Sequence, residues 1–206
     1  MVDVYEIDEL VKELPKRPVV IDVGANAGFF DIQLLPKIEE AVIYAYEPMP
    51  ANVQTLRRTL EQNPVLQKSI RLFQMAVTGK PLDKLDLYAE AEGNSQVVAS
   101  RFADFNENNT HRITVACITL SDIIQQNNLQ AIDLLKLDCE GSEYDIVYHT
   151  APELIKRIHK MSIEVHDLDD GRNNIRAFDD YLQSLGYTTT HTPINSFCHA
   201  LEAVRR

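Results

Sequence analysis

The sequence has no positive charge to spare. Against 31 Asp and Glu stand 20 Lys and Arg, a formal net charge of −11. The densest short basic clusters are Lys16-Arg17, Arg57-Arg58 and Arg205-Arg206, and none forms a stripe. Without a concentrated basic surface there is little counterion release to drive nucleic-acid binding. An acidic surface also disfavours anionic membranes. Cysteine is scarce. Cys117, Cys139 and Cys198 are scattered, odd in number and without metal-ligand spacing. That excludes a disulfide framework and points to reduced thiols in the cytoplasm. No apolar run approaches the roughly 20 residues of a membrane span. The N-terminus, Met-Val-Asp-Val-Tyr-Glu-Ile-Asp, is acidic and does not read as a signal peptide. Repeats, low-complexity tracts and linkers are missing too. The expectation is a single domain over 206 residues, with 45% hydrophobic residues to fill its core.

Apolar spacing divides the chain into alternating strands and helices. Ile7, Leu10, Val11 and Leu14 recur at helical spacing within residues 1–17, and Pro15 and Pro18 end that helix. Val19 to Val23, Ala41 to Tyr46, Ile70 to Met75, Ile132 to Leu137 and Met161 to Val165 are short runs suited to buried strands. Helical faces are marked by Phe30, Leu34, Leu35 and Ile38, and by Val53, Leu56 and Leu60. Thr119 caps a helix carrying Leu120, Ile123 and Ile124. Residues 142–158 hold one or two more helical stretches. Ile175, Phe178, Tyr181, Leu182 and Leu185 mark the last helix, which Gly186 ends. Residues 84–118 mix loop with strand candidates Leu85–Tyr88, Val97–Ala99 and Ile113–Ile118, and Asn106–Thr110 reads as an exposed turn. Strands near 187–191 and 196–201 form a closing hairpin around Pro193. This pattern specifies an α/β fold, a three-layer α/β/α sandwich around a mostly parallel seven-stranded sheet with a C-terminal antiparallel strand.

Such sheets bind ligands at the carboxyl ends of their strands. There the sequence places Asp22-Val-Gly24-Ala25-Asn26-Ala-Gly28, then Glu47-Pro48, Ala76, Asp138-Cys-Glu140-Gly141, and Glu164 with His166. Glycine lets backbone pass close to a ligand. Glu47, one strand after Asp22, stands where a carboxylate grips ribose hydroxyls. A dinucleotide site wants G-x-G-x-x-G so that backbone can meet a pyrophosphate. Here Asn26 replaces the middle glycine, and Phe29-Phe30 follow the last one. A phosphate-free, cationic nucleoside fits better, and S-adenosylmethionine is one.

Three segments then carry a family resemblance: Val20-Ile-Asp-Val-Gly-Ala-Asn-Ala-Gly28, Tyr46-Glu-Pro-Met-Pro50 and Ile132-Asp-Leu-Leu-Lys-Leu-Asp-Cys-Glu-Gly-Ser-Glu143. With Thr119-Leu120 and Glu164-Val-His166, the chain resembles the FkbM-type methyltransferases, Rossmann-like enzymes that use S-adenosylmethionine. The resemblance covers most of residues 18–167. It implies methyl transfer to a hydroxyl of a small molecule, sugar or natural product. It implies that Asp22, Gly24, Asn26 and Gly28 surround the methionine part, with Ala25, Phe29 and Phe30 beside them. It implies Glu47, with Pro48, on the ribose and Ala76 near the adenine. Glu92-Gly-Asn-Ser95 resembles a family stretch near the active site.

An alcohol acceptor must lose its proton, to a base or through a metal-lowered pKa. Lys136 reads as a buried cation pairing Asp138 or Glu164 or touching the substrate oxygen, or else as a sheet-edge lysine. Asp138 can face the methyl group or cap a helix. Glu140 and Glu143 read as decoration at the start of that helix. His166 reads as the general base, because its pKa can lie near neutrality, or as a structural histidine. Asp138, Glu164 and His166 could together hold a divalent metal, a reading not favoured over a metal-free site. The acceptor is expected to be a small molecule or glycan contacted by residues 77–118 and 167–175. Two other readings compete: a non-catalytic nucleoside-binding module, or a nitrogen acceptor. A nicotinamide-linked enzyme is disfavoured by the missing glycine.

Overall fold

The computed structural model describes residues 7–89, 99–100 and 111–205. Its strands are β1 (Val19–Val23), β2 (Val42–Tyr46), β3 (Ile70–Phe73), β4 (Ala76–Thr78), β5 (Lys84–Ala89), β6 (Ala99–Ser100), β7 (His111–Thr119), β8 (Ile132–Leu137), β9 (Ile158–His166), β10 (Thr188–Pro193) and β11 (Cys198–Val204). Its helices are α1 (Ile7–Leu10), α2 (Phe29–Leu34), α3 (Pro50–Gln62), α4 (Pro64–Ser69), α5 (Leu120–Gln126), α6 (Glu143–His149), α7 (Pro152–Ile155) and α8 (Ile175–Ser184).

Seven strands form one sheet in the order β10-β11-β9-β8-β1-β2-β3. All neighbours from β9 to β3 are parallel, and β11 runs antiparallel to both β9 and β10. Successive side chains on a strand point to opposite faces. Ile21, Val23, Leu135 and Leu137 therefore meet one helical layer, with Ile123, Ile146, Phe178 and Leu182. Val20, Ile43 and Leu134 meet the other, with Leu10, Phe30, Leu34 and Leu56. Each such side chain contributes about 1.5–3 kcal/mol by leaving water. The expected three-layer sandwich and its antiparallel strand are present.

Some boundaries differ from the sequence expectation. β9 begins at Ile158, earlier than the apolar run, because Lys160 is buried in the strand with its charge met by Glu13 at 2.9 Å and Glu202 at 3.3 Å. The short helix α4 was not expected; it starts at Pro64, whose fixed φ and missing N–H suit a first helical position. β3 stops at Phe73, and Ala76 opens a second, four-stranded sheet in the order β4-β7-β5-β6. Ala76, Leu87, Val115 and Cys117 of that sheet pack with Met49 as a third cluster. Glu92–Ser95 and Asn106–Thr110 lie outside the described residues.

Thr119 caps α5 as its sequence suggests. Its Oγ1 accepts from the Asp122 N–H at 3.0 Å and donates to Asp122 Oδ2 at 2.6 Å. Thr119→Ala should cost about 1 kcal/mol of stability. Urea unfolding would measure it, and an unchanged midpoint would contradict the cap.

Candidate active site

The carboxyl ends of β1, β2 and β8 meet under the second sheet, and a cleft of about 680 Å³, counting space open to solvent, lies between them. Of the residues singled out in the sequence, Gly24, Asn26, Glu47, Pro48, Ala76, Asp138 and Glu140 line it. Met49, Asn52, Met75, Val77, Leu85 and Leu87 line it as well.

The loop after β1 is shaped by what hangs on Tyr46 and Glu47. Gly24 N–H and Ala25 N–H both donate to the Tyr46 carbonyl, at 3.0 and 3.1 Å. Asn26 adopts a left-handed φ of +50°, which Asn tolerates better than most side chains. Its N–H donates to Glu47 Oε2 at 2.8 Å. Glu47 Oε1 accepts from Met49 N–H at 2.9 Å and from Asn52 Nδ2 at 3.1 Å. Burial pushes the Glu47 carboxyl up, and these three bonds oppose the shift. The carboxylate is thus fixed at the wall, with lone pairs left for a ligand. Gly24 has φ +78°, and a Cβ there would sit 1.8 Å from the Asp138 carbonyl oxygen. Loop and β8 end are therefore in direct contact.

Several expected ligand residues stand elsewhere. Asp22 is fully buried beneath the loop and is not part of the cleft wall. The register pairs it with Lys136 on the neighbouring strand. Lys136 Nζ lies 3.1 Å from Asp22 Oδ1 and 3.7 Å from Asp138 Oδ2, and donates to the Gly24 carbonyl at 2.7 Å. It belongs to a central strand, which rules out a sheet-edge role, and its main partner is Asp22 rather than Glu164. Phe30 is a core residue against Val20 and Leu56, whereas Phe29 is 44% exposed. Ala25 is buried in the same core, and Gly28 backs onto the Leu56 side chain, so neither lines the cleft.

Asp31, on the first turn of α2, was not singled out by sequence. It is fully buried. Burial holds its carboxyl well above the ordinary value of 3.8, and the charge of Asp22 adds to that. A carboxyl with a raised folded pKa favours folding below its unfolded value, and that contribution is lost as pH rises through the folded value. Asp31→Asn should therefore gain stability over wild type between about pH 5 and about pH 8. Paired urea melts would show it; a difference that does not change with pH would contradict this reading.

At the ends of β8 and β9 the titratable groups crowd. Glu140 takes a left-handed φ of +51°, and its carbonyl accepts from Ser100 Oγ at 2.8 Å. Burial, then the charge of Asp138, raise the Glu140 carboxyl to about 7. Glu143 Oε1 accepts from Cys139 and Gly141 N–H, both at 3.2 Å, which fixes it under the turn. His166 Nδ1 lies 3.3 Å from that same oxygen, and its Nε2 lies 3.4 Å from Glu140 and 3.9 Å from Glu164. Burial alone would lower the His166 pKa; its bonds to Cys198 and Glu143, then the charges of Glu143 and Glu140, raise it to about 11. These carboxylates hold the imidazole toward its protonated form, which argues against the near-neutral base expected at His166. Cys198, passed over in the sequence, lies with its Sγ 3.3 Å from Glu164 Oε1. It replaces Asp138 in the grouping with Glu164 and His166, whose ligand atoms all lie within 4.8 Å.

The methyltransferase FkbM domain model matches residues 22–189. The chain belongs to the FkbM methyltransferase family. FkbM of Streptomyces tacrolimicus, a 31-O-demethyl-FK506 methyltransferase, is 26% identical over 200 residues, covering 85% of this chain and 75% of that protein. The FkbM methyltransferase of Methylobacillus flagellatus has the same fold, with a TM-score of 0.61 at 16% identity over 91% of this chain. The present chain spans 44% of that solved chain. TrmK of M. capricolum, solved with S-adenosylhomocysteine, superposes with a TM-score of 0.55 at 10% identity, over 98% of this chain and 68% of its own. The matched stretch, residues 22–189, contains all the residues that line the cleft.

Proposed function

We propose that this protein is an S-adenosylmethionine-dependent O-methyltransferase acting on a hydroxyl of a small molecule or glycan. The observation that carries the reading is the buried Glu47 carboxylate, fixed by three donors at the wall of a cleft whose loop lacks the middle glycine of a dinucleotide site. The donor set fits the methyl donor. Glu47 would accept the ribose hydroxyls, charge-assisted bonds that neutral acceptors make less strongly. Met49, Met75, Val77 and Leu87 offer an apolar slot for the adenine. Asn26 and Asp138 suit the amino-acid end. When bound, S-adenosylmethionine supplies an electrophilic methyl group on a cationic sulfur. The chain's own part is to align an acceptor oxygen and take its proton. Asp138 and Glu140, the carboxylates on the wall beside the β8 end, would receive it.

In support of a cytoplasmic setting, all three cysteines are free thiols. No helix among the described residues is long and apolar enough to cross a membrane. The net charge of −11 supports an acceptor other than nucleic acid.

Two tests follow from the pose. Glu47→Ala should weaken S-adenosylhomocysteine binding by about 1–3 kcal/mol, on the order of 5–150-fold in affinity. Unchanged affinity by calorimetry would contradict the ribose role. Methyl transfer from labelled S-adenosylmethionine should go to hydroxyl acceptors in a panel; transfer to amines alone, or none with tight cofactor binding, would overturn the O-methylation reading.

A further inference from the structure

We propose that Glu164, His166 and Cys198 form a binding site for a late first-row divalent metal, with Zn²⁺ as the best fit. Glu164 and His166 are two apart on β9 and share a face. Cys198 pairs directly with His166 across the antiparallel ladder, so its side chain joins the same face. The three ligand atoms lie within 4.8 Å of one another, with Cys198 Sγ 3.3 Å and His166 Nε2 3.9 Å from Glu164 Oε1. The first separation matches the edge of a tetrahedron around one zinc ion, about 3.3–3.6 Å, and the second would close by a few tenths of an ångström on binding. One sulfur, one imidazole nitrogen and one carboxylate oxygen form a borderline-soft set, which selects zinc-like ions over magnesium or calcium.

A second observation is independent of the three ligands. A metal-binding histidine commonly has its other ring nitrogen held by a carboxylate. His166 Nδ1 faces Glu143 Oε1 at 3.3 Å, and that carboxylate is itself fixed by two backbone N–H groups. Nε2 faces Glu164 and would give up its proton on taking the ion. Three protein ligands leave a fourth position open, the arrangement of catalytic rather than structural zinc. Glu140, a cleft-wall residue 3.4 Å from Nε2, borders that position. An acceptor hydroxyl entering from the cleft could occupy it and lose its proton more readily. That catalytic use rests on the proposed reaction; metal binding itself does not.

The test uses the full chain, loaded with Zn²⁺, dialysed and analysed for metal, then reloaded with Co²⁺. The expected result is about one metal per chain. The cobalt form should show a near-ultraviolet thiolate-to-metal absorption that Cys198→Ser removes and Cys139→Ser keeps. Less than about one metal per ten chains, or an absorption that survives Cys198→Ser, would overturn the site. S-adenosylhomocysteine titrated into the same samples separates the two proposals. Binding of that ligand without retained metal sinks only the metal site.

Discussion

Lys136→Met should lose about 3–5 kcal/mol of folding stability, because it removes the cation from a fully buried set of carboxylates. Lys136 is almost completely enclosed and lies 3.1 Å from Asp22, which is itself fully buried, as is Asp31 behind it. The desolvation of these groups is large, and the ammonium beside Asp22, itself bonded to the Gly24 carbonyl, offsets part of it. Methionine matches the stem of lysine, so the loss reports charge rather than a cavity. Without the cation, Asp22 and Asp31 can fold in only by taking up protons. The destabilisation should accordingly be larger at about pH 8 than at about pH 5. Urea unfolding at both values checks the size and the trend. A loss under about 1 kcal/mol at neutral pH would show that the carboxylates are satisfied some other way.

Gly24→Ala should be nearly as severe and should also weaken ligand binding. The left-handed backbone alone costs an alanine about 1–2 kcal/mol. The new Cβ would meet the Asp138 carbonyl oxygen at 1.8 Å, and backbone cannot yield as a side chain does. Relieving that collision costs about 1–3 kcal/mol more and moves the loop away from β8. Since Gly24, Asn26 and Asp138 share the cleft wall, the displacement should cost affinity for S-adenosylhomocysteine as well as stability. Calorimetry and urea unfolding on the same variant measure both. A variant that folds and binds like the wild type would contradict the close approach.

The framework around this cleft was legible because its strands are short, apolar and bounded by turn residues. Val19–Val23 and Ile132–Leu137 are the strands read from the sequence, residue for residue. Lys136 stood out as a charge in an apolar run, but its partner depends on register, and register places Asp22 beside it. Asp31 had no signal: on a helix, a carboxylate reads as solvent-facing until the α2 face is known to meet the sheet. Phe30 carried two readings, a helix face shared with Leu34 and a place beside the cofactor implied by the resemblance, and the structure puts it in the core. The second sheet was hidden because Ala76–Thr78 is too short to show a period and pairs with β7 some forty residues later. Cys198 was invisible for want of strand pairing, and it reaches His166 only through the antiparallel ladder. Asn52 and Met49, which hold or border Glu47, follow from the bend between β2 and α3.

The most direct measurement of the account is a calorimetric titration of the chain with S-adenosylhomocysteine and, separately, with NAD. A saturable single-site signal for S-adenosylhomocysteine, weakened by Glu47→Ala, and none for NAD is the predicted result. Binding of NAD, or no binding of the sulfur ligand by a folded chain, would contradict it.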